Sequence, residues 1–268
     1  KRRQQALRDK IRRPVKKVRQ QRSVKEMRAR LSPPMDRLHN TILAWDIFHG
    51  GNDPPNGPAA SEVATKYSNP RTYQDTFFPL LASEAWRSFV TAKDEITSQP
   101  FGMKIASRAS VDSYLEATFT MPVVQSRERG VSEGDILLVS EAENPLTDQT
   151  ARHCLARVHR ITYKKELIEI TYRVASRNNP MTQVLTPNVS VFGVKITNMT
   201  TIEREYAALE SLQYYDLMDE ILNAEPSPIL RYGEEKISNC MENYALNHGQ
   251  AMAVLGAHDN DGFTLIQG

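Results

Sequence analysis

Apolar residues recur every three to four positions through the first hundred or so residues, alternate through the middle, and return to helical spacing toward the end. Near the start, Leu7, Ile11, Val15 and Val18 fall on one helical face, with Arg and Lys on the others. Pro14 predicts a kink or a new helix start inside that stretch. Ser23-x-x-Glu26 has the form of a capping box for a further turn carrying Met27 and Leu31, which Pro33 and Pro34 end. Leu38, Ile42, Leu43 and Trp45 predict a short helix from Arg37 to Phe48, and the Gly, Asn and Pro residues of 50–58 predict a loop. Tyr73, Phe77, Leu80, Leu81, Ala85, Trp86, Phe89 and Val90 predict a long helix within 70–95, bent or split at Pro79.

After Pro100 the period changes. Phe101 to Ser107, Tyr114 to Met121, Asp135 to Ser140, Cys154 to Tyr163, Leu167 to Val174 and Val189 to Asn198 are short segments rich in β-branched or aromatic residues, with turn residues between them. That density predicts a small antiparallel barrel. From Thr200 the helical period resumes through Ile202, Tyr206, Leu209, Leu212, Tyr215, Met218 and Leu222, and Pro226 and Pro228 end it. Thr200-x-x-Glu203 is a second capping-box candidate. The fold class is therefore α+β, an antiparallel barrel between two long helices, and the length suits two compact units with connectors.

Composition changes this picture in one respect. The net charge is only +2, yet residues 1–30 carry +12 and the remainder −10. A basic arm on an acidic body implies contact with a polyanion or docking of the arm onto the body itself. No apolar run approaches the ~18 residues of a membrane helix, and the charged start does not resemble a secretory signal. Cys154 and Cys240 form no C-x-x-C pattern, which suggests neither a disulfide framework nor a zinc cluster and fits a reducing compartment.

The candidate chemistry is concentrated at the end. Leu246-Asn247-His248-Gly249-Gln250 opens a short helix, Asp259-Asn260-Asp261-Gly262 makes a turn, and Phe263 to Gln267 reads as a buried strand ending on Gly268. A strand delivering a glycine is the lead-in to a phosphate-binding loop, and equally the end of many ordinary buried strands. The Gln250 amide could read the N6/N7 edge of adenine, or could close a capping box with Asn247. His153, Cys154 and His159 raise a metal site, but neighbours on a strand face opposite ways. Asp259 and Asp261 beside His258 could be acid/base groups, although an acidic turn is the more ordinary use. Tyr114, Phe119, Tyr163 and Tyr172 could stack bases or fill the barrel.

Several segments taken together resemble one family. Thr41-Ile42-Leu43-x-Trp45-Asp46, Thr200 to Tyr206, Leu212 to Leu217, Ala224 to Pro228, Leu246-Asn247-x-x-Gln250 and Gly262 to Gly268 are similar, in order, to the senataxin-type superfamily 1B RNA/DNA helicases, especially the fungal transcription-termination enzymes. The resemblance implies a basic helical brace and linker over residues 1–69, a first stalk helix over 70–99 and a β-barrel over 100–199. A second stalk helix over 200–225 and the start of a RecA-like ATP-binding lobe over 226–268 would follow. It implies that Gln250, with Asn247 and Leu246, reads adenine and that Gly268 is the first glycine of the phosphate loop. It also implies ATP and Mg2+ as cofactors of the complete enzyme, and a catalytic apparatus beyond Gly268, so that these residues alone would turn over no ATP.

By the same resemblance the partners are single-stranded RNA or DNA, RNA–DNA hybrids and the RNA polymerase II termination machinery. The place is the nucleus, the polarity 5′ to 3′, and the state a monomer. Arg12, Arg13, Lys16 and Lys17 on the arm are candidate phosphate contacts. Alternatives are a non-enzymatic nucleic-acid-binding or scaffold module, and a related helicase of RNA decay. If the arm is a brace, alanine at Leu7, Ile11 and Val15 together lowers the melting temperature in a thermal melt, and an unchanged melt rejects that role.

Overall fold

The computed structural model describes residues 23–225 and 230–260, without the side chains of 29–31. The arm helix with Arg12, Arg13, Lys16 and Lys17, the Pro226 to Pro228 break, and the strand leading to Gly268 lie outside the described residues. The chain divides into two compact units, one formed by residues 29–63 and 74–211, the other by 1–28, 64–73 and 212–268.

At the start of α1 (Val24–Leu31) the predicted capping box is closed. Ser23 N donates to Glu26 Oε2 at 2.7 Å and Glu26 N donates to Ser23 Oγ at 3.2 Å. α2 (Asp36–Leu43) stops earlier than periodicity predicts, and Trp45 is buried from the turn that follows it. α3 (Pro70–Asp94) opens with Asn69 accepting from Thr72 N at 2.9 Å and with Pro70 at its first position, where a missing N–H costs nothing. It runs through Pro79 as one helix. An internal proline costs about 3 kcal/mol, but full burial of Phe78, Trp86 and Phe89, at roughly 1.5–3 kcal/mol for each large apolar side chain, more than offsets it.

Six strands follow: β1 (Phe101–Val111), β2 (Tyr114–Pro122), β3 (Asp135–Ser140), β4 (His153–Tyr163), β5 (Leu167–Ala175) and β6 (Ser190–Asn198), with α4 (Val123–Arg129) between β2 and β3. Each pairs antiparallel with two neighbours in the order β1-β2-β5-β4-β3-β6, and β6 returns to β1, so the sheet closes into a ring. Alternate residues explain the closure. Phe101, Met103 and Ile105 on β1, Phe119 on β2, and Ile168, Ile170 and Tyr172 on β5 fill the interior. Ile136, Leu138, Leu155 and Val194 face the other way, into a second core with Leu38 and Ile42 of α2 and Phe78, Trp86 and Phe89 of α3. Every residue of β3 is buried, because it is packed on both faces.

α5 (Thr200–Glu210) leaves the ring and adds Ile202 and Tyr206 to that outer core. The single helix expected over 200–225 is broken: α5 ends at Glu210, a 3-10 turn covers Leu212–Tyr214, and α6 (Met218–Asn223) is separate. Tyr215 N bonds Leu212 O and Met218 N bonds Tyr215 O. Such i,i+3 bonds preserve the apolar spacing while interrupting the α-helix, so periodicity reads through the break. In the other unit α7 (Glu234–Tyr244) and α8 (His248–Asp259) pack through Ile237, Cys240 and Ala251.

The second capping box is also corrected. Met199 is the N-cap of α5 without a side-chain bond, and Asn198 Oδ1 accepts from Thr200 N at 2.9 Å instead. Glu203 turns away to a stronger partner. Its Oε1 accepts from Arg157 Nε on β4 at 2.6 Å and lies 2.8 Å from His39 Nε2 on α2. Arg157 stands opposite Arg173 in the β4–β5 ladder, where like charges repel, and Arg173 is matched in turn by Glu116 of β2 at 2.8 Å. Burial alone would push the Glu203 carboxyl up, but the His39 and Arg157 hydrogen bonds, with the charge of Arg157, hold it at about 2, below its ordinary 4.5. This depressed acid stabilises the fold fully above pH 4.5 and loses that contribution as pH falls toward about 2. Glu203→Gln therefore costs about 2 kcal/mol near neutrality, discounted for partial exposure. In urea melts, the gap between parent and variant closes across the same acid range.

Candidate nucleotide lead-in and barrel surfaces

The turn between α7 and α8 is built by local chemistry. Ala245 adopts a left-handed conformation (φ 52°) and ends α7, and Leu246 N donates back to Met241 O at 3.0 Å. This sets Leu246 against the Ile237, Cys240 and Ala251 core and presents Asn247 as the N-cap of α8. Gln250 N donates to Asn247 Oδ1 at 2.9 Å, and Asn247 N donates to Gln250 Oε1 at 3.0 Å. The capping box, one of two readings open in the sequence, is thus formed. Gln250 remains exposed, with its Nε2 unpartnered among the described residues, so the amide keeps a donor and a second lone pair for an adenine edge. Leu246, Asn247 and Gln250 are brought together here, while Gly268 lies outside the described residues.

The far end of α8 is tied down rather than reactive. Asp259 is bonded to Lys236 at 2.6 Å and to His258 at 2.7 Å, and these bonds hold its carboxyl at about 2. Tyr232 donates to Leu255 O at 2.7 Å and closes the same pair of helices. Asp261 lies outside the described residues.

On the ring the alternation of β4 separates the three residues raised for metal binding. Cys154 is buried, and burial pushes its thiol up to about 12. His153 turns outward to Asp46 at 3.1 Å and to Ala151 O at 2.9 Å, and His159 stands 3.9 Å from Glu116. No group of three His, Cys, Asp or Glu that could hold a metal is found among the described residues.

Of the four aromatic residues weighed for base stacking, Tyr114, Phe119 and Tyr172 are buried. Tyr163, at the tip of the β4–β5 hairpin, is 71% exposed beside exposed Lys164 and Lys165. Leu167, 45% exposed, faces Pro122 across the β2–β5 ladder at the same end, where α4 carries exposed Val124. Periodicity does not separate Tyr163 from the buried three. The signal that could have done so is its position against the Lys164-Lys165-Glu166 turn, where a strand runs out of core.

The arrangement has known counterparts. Residues 96–196 match the family described as Helicase SEN1 beta-barrel domain. Over 257 residues the chain is 32% identical to Helicase SEN1 of Saccharomyces cerevisiae, covering 91% of this chain and 12% of that protein. It is 24% identical over 253 residues to Helicase sen1 of Schizosaccharomyces pombe, covering 92% and 15% respectively. It is 25% identical over 268 residues to Probable helicase MAGATAMA 3 of Arabidopsis thaliana, covering 87% and 32%. The chain thus spans well under half the length of each of these relatives.

Replacing the cap tests the α7–α8 turn. Asn247→Ala lowers stability by about 1 kcal/mol and speeds hydrogen exchange at the Gln250 amide, measured by mass spectrometry or NMR.

Proposed function

We propose, from the premise that this chain is a senataxin-like helicase region, that it supplies the brace, barrel and stalk of an ATP-dependent RNA/DNA helicase together with the approach to its first motor lobe. The observation that carries this reading is the Glu203 junction, where α2, the barrel strand β4 and α5 meet on one partly buried carboxylate. A translocating motor needs a stiff coupling between the element that moves and the surface that grips the strand. Three elements pinned at a charge-assisted contact of 2.6 Å provide that stiffness, because breaking it would leave a carboxylate partly buried without its cation.

In this reading the exposed tip of the β4–β5 hairpin is the gripping surface. Tyr163 offers a π-face to any base, and Lys165 meets phosphate without reading sequence, beside Lys164, which is paired with Glu169 at 2.7 Å. Gln250 reads the adenine of ATP from the start of α8, with Asn247 and Leu246 holding its turn in place, and Gly268 begins the phosphate loop. ATP and Mg2+ belong to the complete enzyme. It works in the nucleus as a monomer, 5′ to 3′, on RNA–DNA hybrids and in transcription termination with the RNA polymerase II machinery.

The 268 residues by themselves contain no G-x-x-x-x-G-K-[ST] loop. Purified, they release no phosphate from ATP above background, and robust turnover sinks the reading. Fluorescence anisotropy with labelled oligouridine is expected to show binding that weakens steeply between about 50 and 200 mM salt. Tyr163→Ala weakens it further by roughly fivefold or more, from the stacking lost.

A further inference from the structure

β1 is 11 residues long, but only its first four, Phe101 to Lys104, pair with β6. With β2 it stays paired as far as Val111. The cause is local: a β-bulge between Ile105 and Ser107 bends the strand. At the bulge Ile105 N donates to Val189 O at 2.9 Å and Asn188 N to Ile105 O at 2.8 Å, and these are the last backbone bonds on the β6 side among the described residues. Phe101 to Ile105 alternate between buried and exposed, whereas Ala106 to Ser110 are all exposed.

The direction of the hydrogen-bonding groups in this stretch follows from the hairpin. Val111 and Tyr114 close a two-residue turn, and on the β5 side of β2 Ser113 O accepts from Ser176 N at 3.1 Å. Backbone groups alternate in direction along a strand, so Tyr114 and Glu116 turn theirs toward β1, where Val111 and Ala109 stand opposite. Arg108 and Ser110 therefore turn N–H and C=O away from β2, and none of these groups has a protein partner among the described residues.

An unpaired edge is a template for another strand, and proteins usually blunt one with Lys, Pro or a covering segment. Between Ile105 and Val111 there is no Lys or Pro. The one cation there, Arg108, is drawn back by Nη1 onto Thr182 O at 3.1 Å and Leu185 O at 3.4 Å.

Donors and acceptors that alternate along a line at strand spacing are matched by another polypeptide backbone. A phosphate offers acceptors alone and would leave both carbonyls unmatched. We propose that the edge of β1 from Ser107 to Val111 is a strand-addition site, which takes an extended segment of a partner protein with an acidic side chain opposite Arg108. Ser107 and Ala109 share the outer face with Thr118 and Glu116, and their small size leaves room for β-branched or aromatic side chains of the added strand. Arg108 lies on the other face, opposite Ala117, and its guanidinium uses Nη1 alone, so its remaining N–H groups meet the carboxylate. A second copy of the chain, paired about Ala109, would set Arg108 against Ser110 and supply no carboxylate there.

The test uses the whole 268-residue chain. In the chain alone, hydrogen exchange followed by NMR should be fast at the Arg108 and Ser110 amides and slow at those of Ala109 and Val111; four equally slow amides sink the edge. Short random peptides on phage are then selected against the chain, with counter-selection against Ser110→Pro, which removes an outward N–H and spares the ladder to β2. The melting temperature of that variant should match the parent's. If it does not fold, Arg108→Gln, which keeps an amide for the Thr182 and Leu185 carbonyls, takes its place. Enriched peptides should carry Asp or Glu, should bind either variant roughly tenfold or more weakly, and should slow exchange at Arg108 and Ser110. Tyr163→Ala should bind them normally, so that this result and the oligouridine result stand or fall separately. The idea is overturned if no peptide survives counter-selection, if survivors leave the two amides unprotected, if oligouridine protects them, or if the chain protects them by dimerising as its concentration rises.

Discussion

One carboxylate ties together elements that the chain keeps far apart. Glu203 follows the last strand of the ring, Arg157 lies in the middle of β4, and His39 belongs to a helix that precedes the whole barrel. A partly buried acid survives only where polar partners replace the water it gives up, and here an arginine and a histidine do so from different elements. Beside that node, Tyr114 Oη donates to Asp36 Oδ1 and Ser113 Oγ to Asn40 Oδ1, each at 3.1 Å, and otherwise α2 and α5 rest on the ring through apolar contacts. Such contacts hold elements together but tolerate sliding, whereas a short charge-assisted bond specifies one register.

The ring explains why so little of the middle of the chain is free for chemistry. Its interior takes one set of alternate side chains, and the outer face of β3, β4 and β6 takes a second set against α2, α3 and α5. A strand such as Asp135 to Ser140, with every residue buried, has no surface to offer a partner. Apart from the outer face of β1, exposed from Ala106 to Ser110, what remains open are the ends of the strands. One end exposes Tyr163 with two lysines, and the other opens a polar cleft beside Trp45. The closed sheet therefore holds apart two chemically different ends, one with exposed Tyr163 beside Lys165 and the Lys164–Glu169 ion pair, the other mixed in charge and rich in amides.

The second unit follows a different logic, in which short-range hydrogen bonds do the positioning. A left-handed Ala245, a back-bond from Leu246 and a reciprocal cap between Asn247 and Gln250 set the start of α8 within six residues. The cap and an adenine-reading role are compatible, because capping occupies one lone pair of the Gln250 oxygen and leaves the amide N–H2 available. Local order of this sort gives the exposed Gln250 amide a fixed origin.

Features written in near neighbours were legible from the residues alone. The six strands, the long helix through Trp86, and the caps at Ser23 and Asn247 all depend on alternation or on contacts three or four residues apart. The resemblance was legible too, since the ordered segments from Thr41 to Gly268 carry it. Features decided by residues distant in the chain were not. Glu203 was read as a cap because Thr200 stands three positions before it, and only folding brings Arg157 and His39 within reach. The break after Glu210 escaped because 3-10 and α-helical turns share the i,i+3 spacing on which periodicity relies. Burial of Tyr172 and exposure of Tyr163 likewise depend on where each falls along a closed ring, since both alternate inward and only one has core beyond it. Local pattern determines which element a residue joins, whereas its solvent and its partners are set by chain segments that a one-dimensional reading cannot bring together.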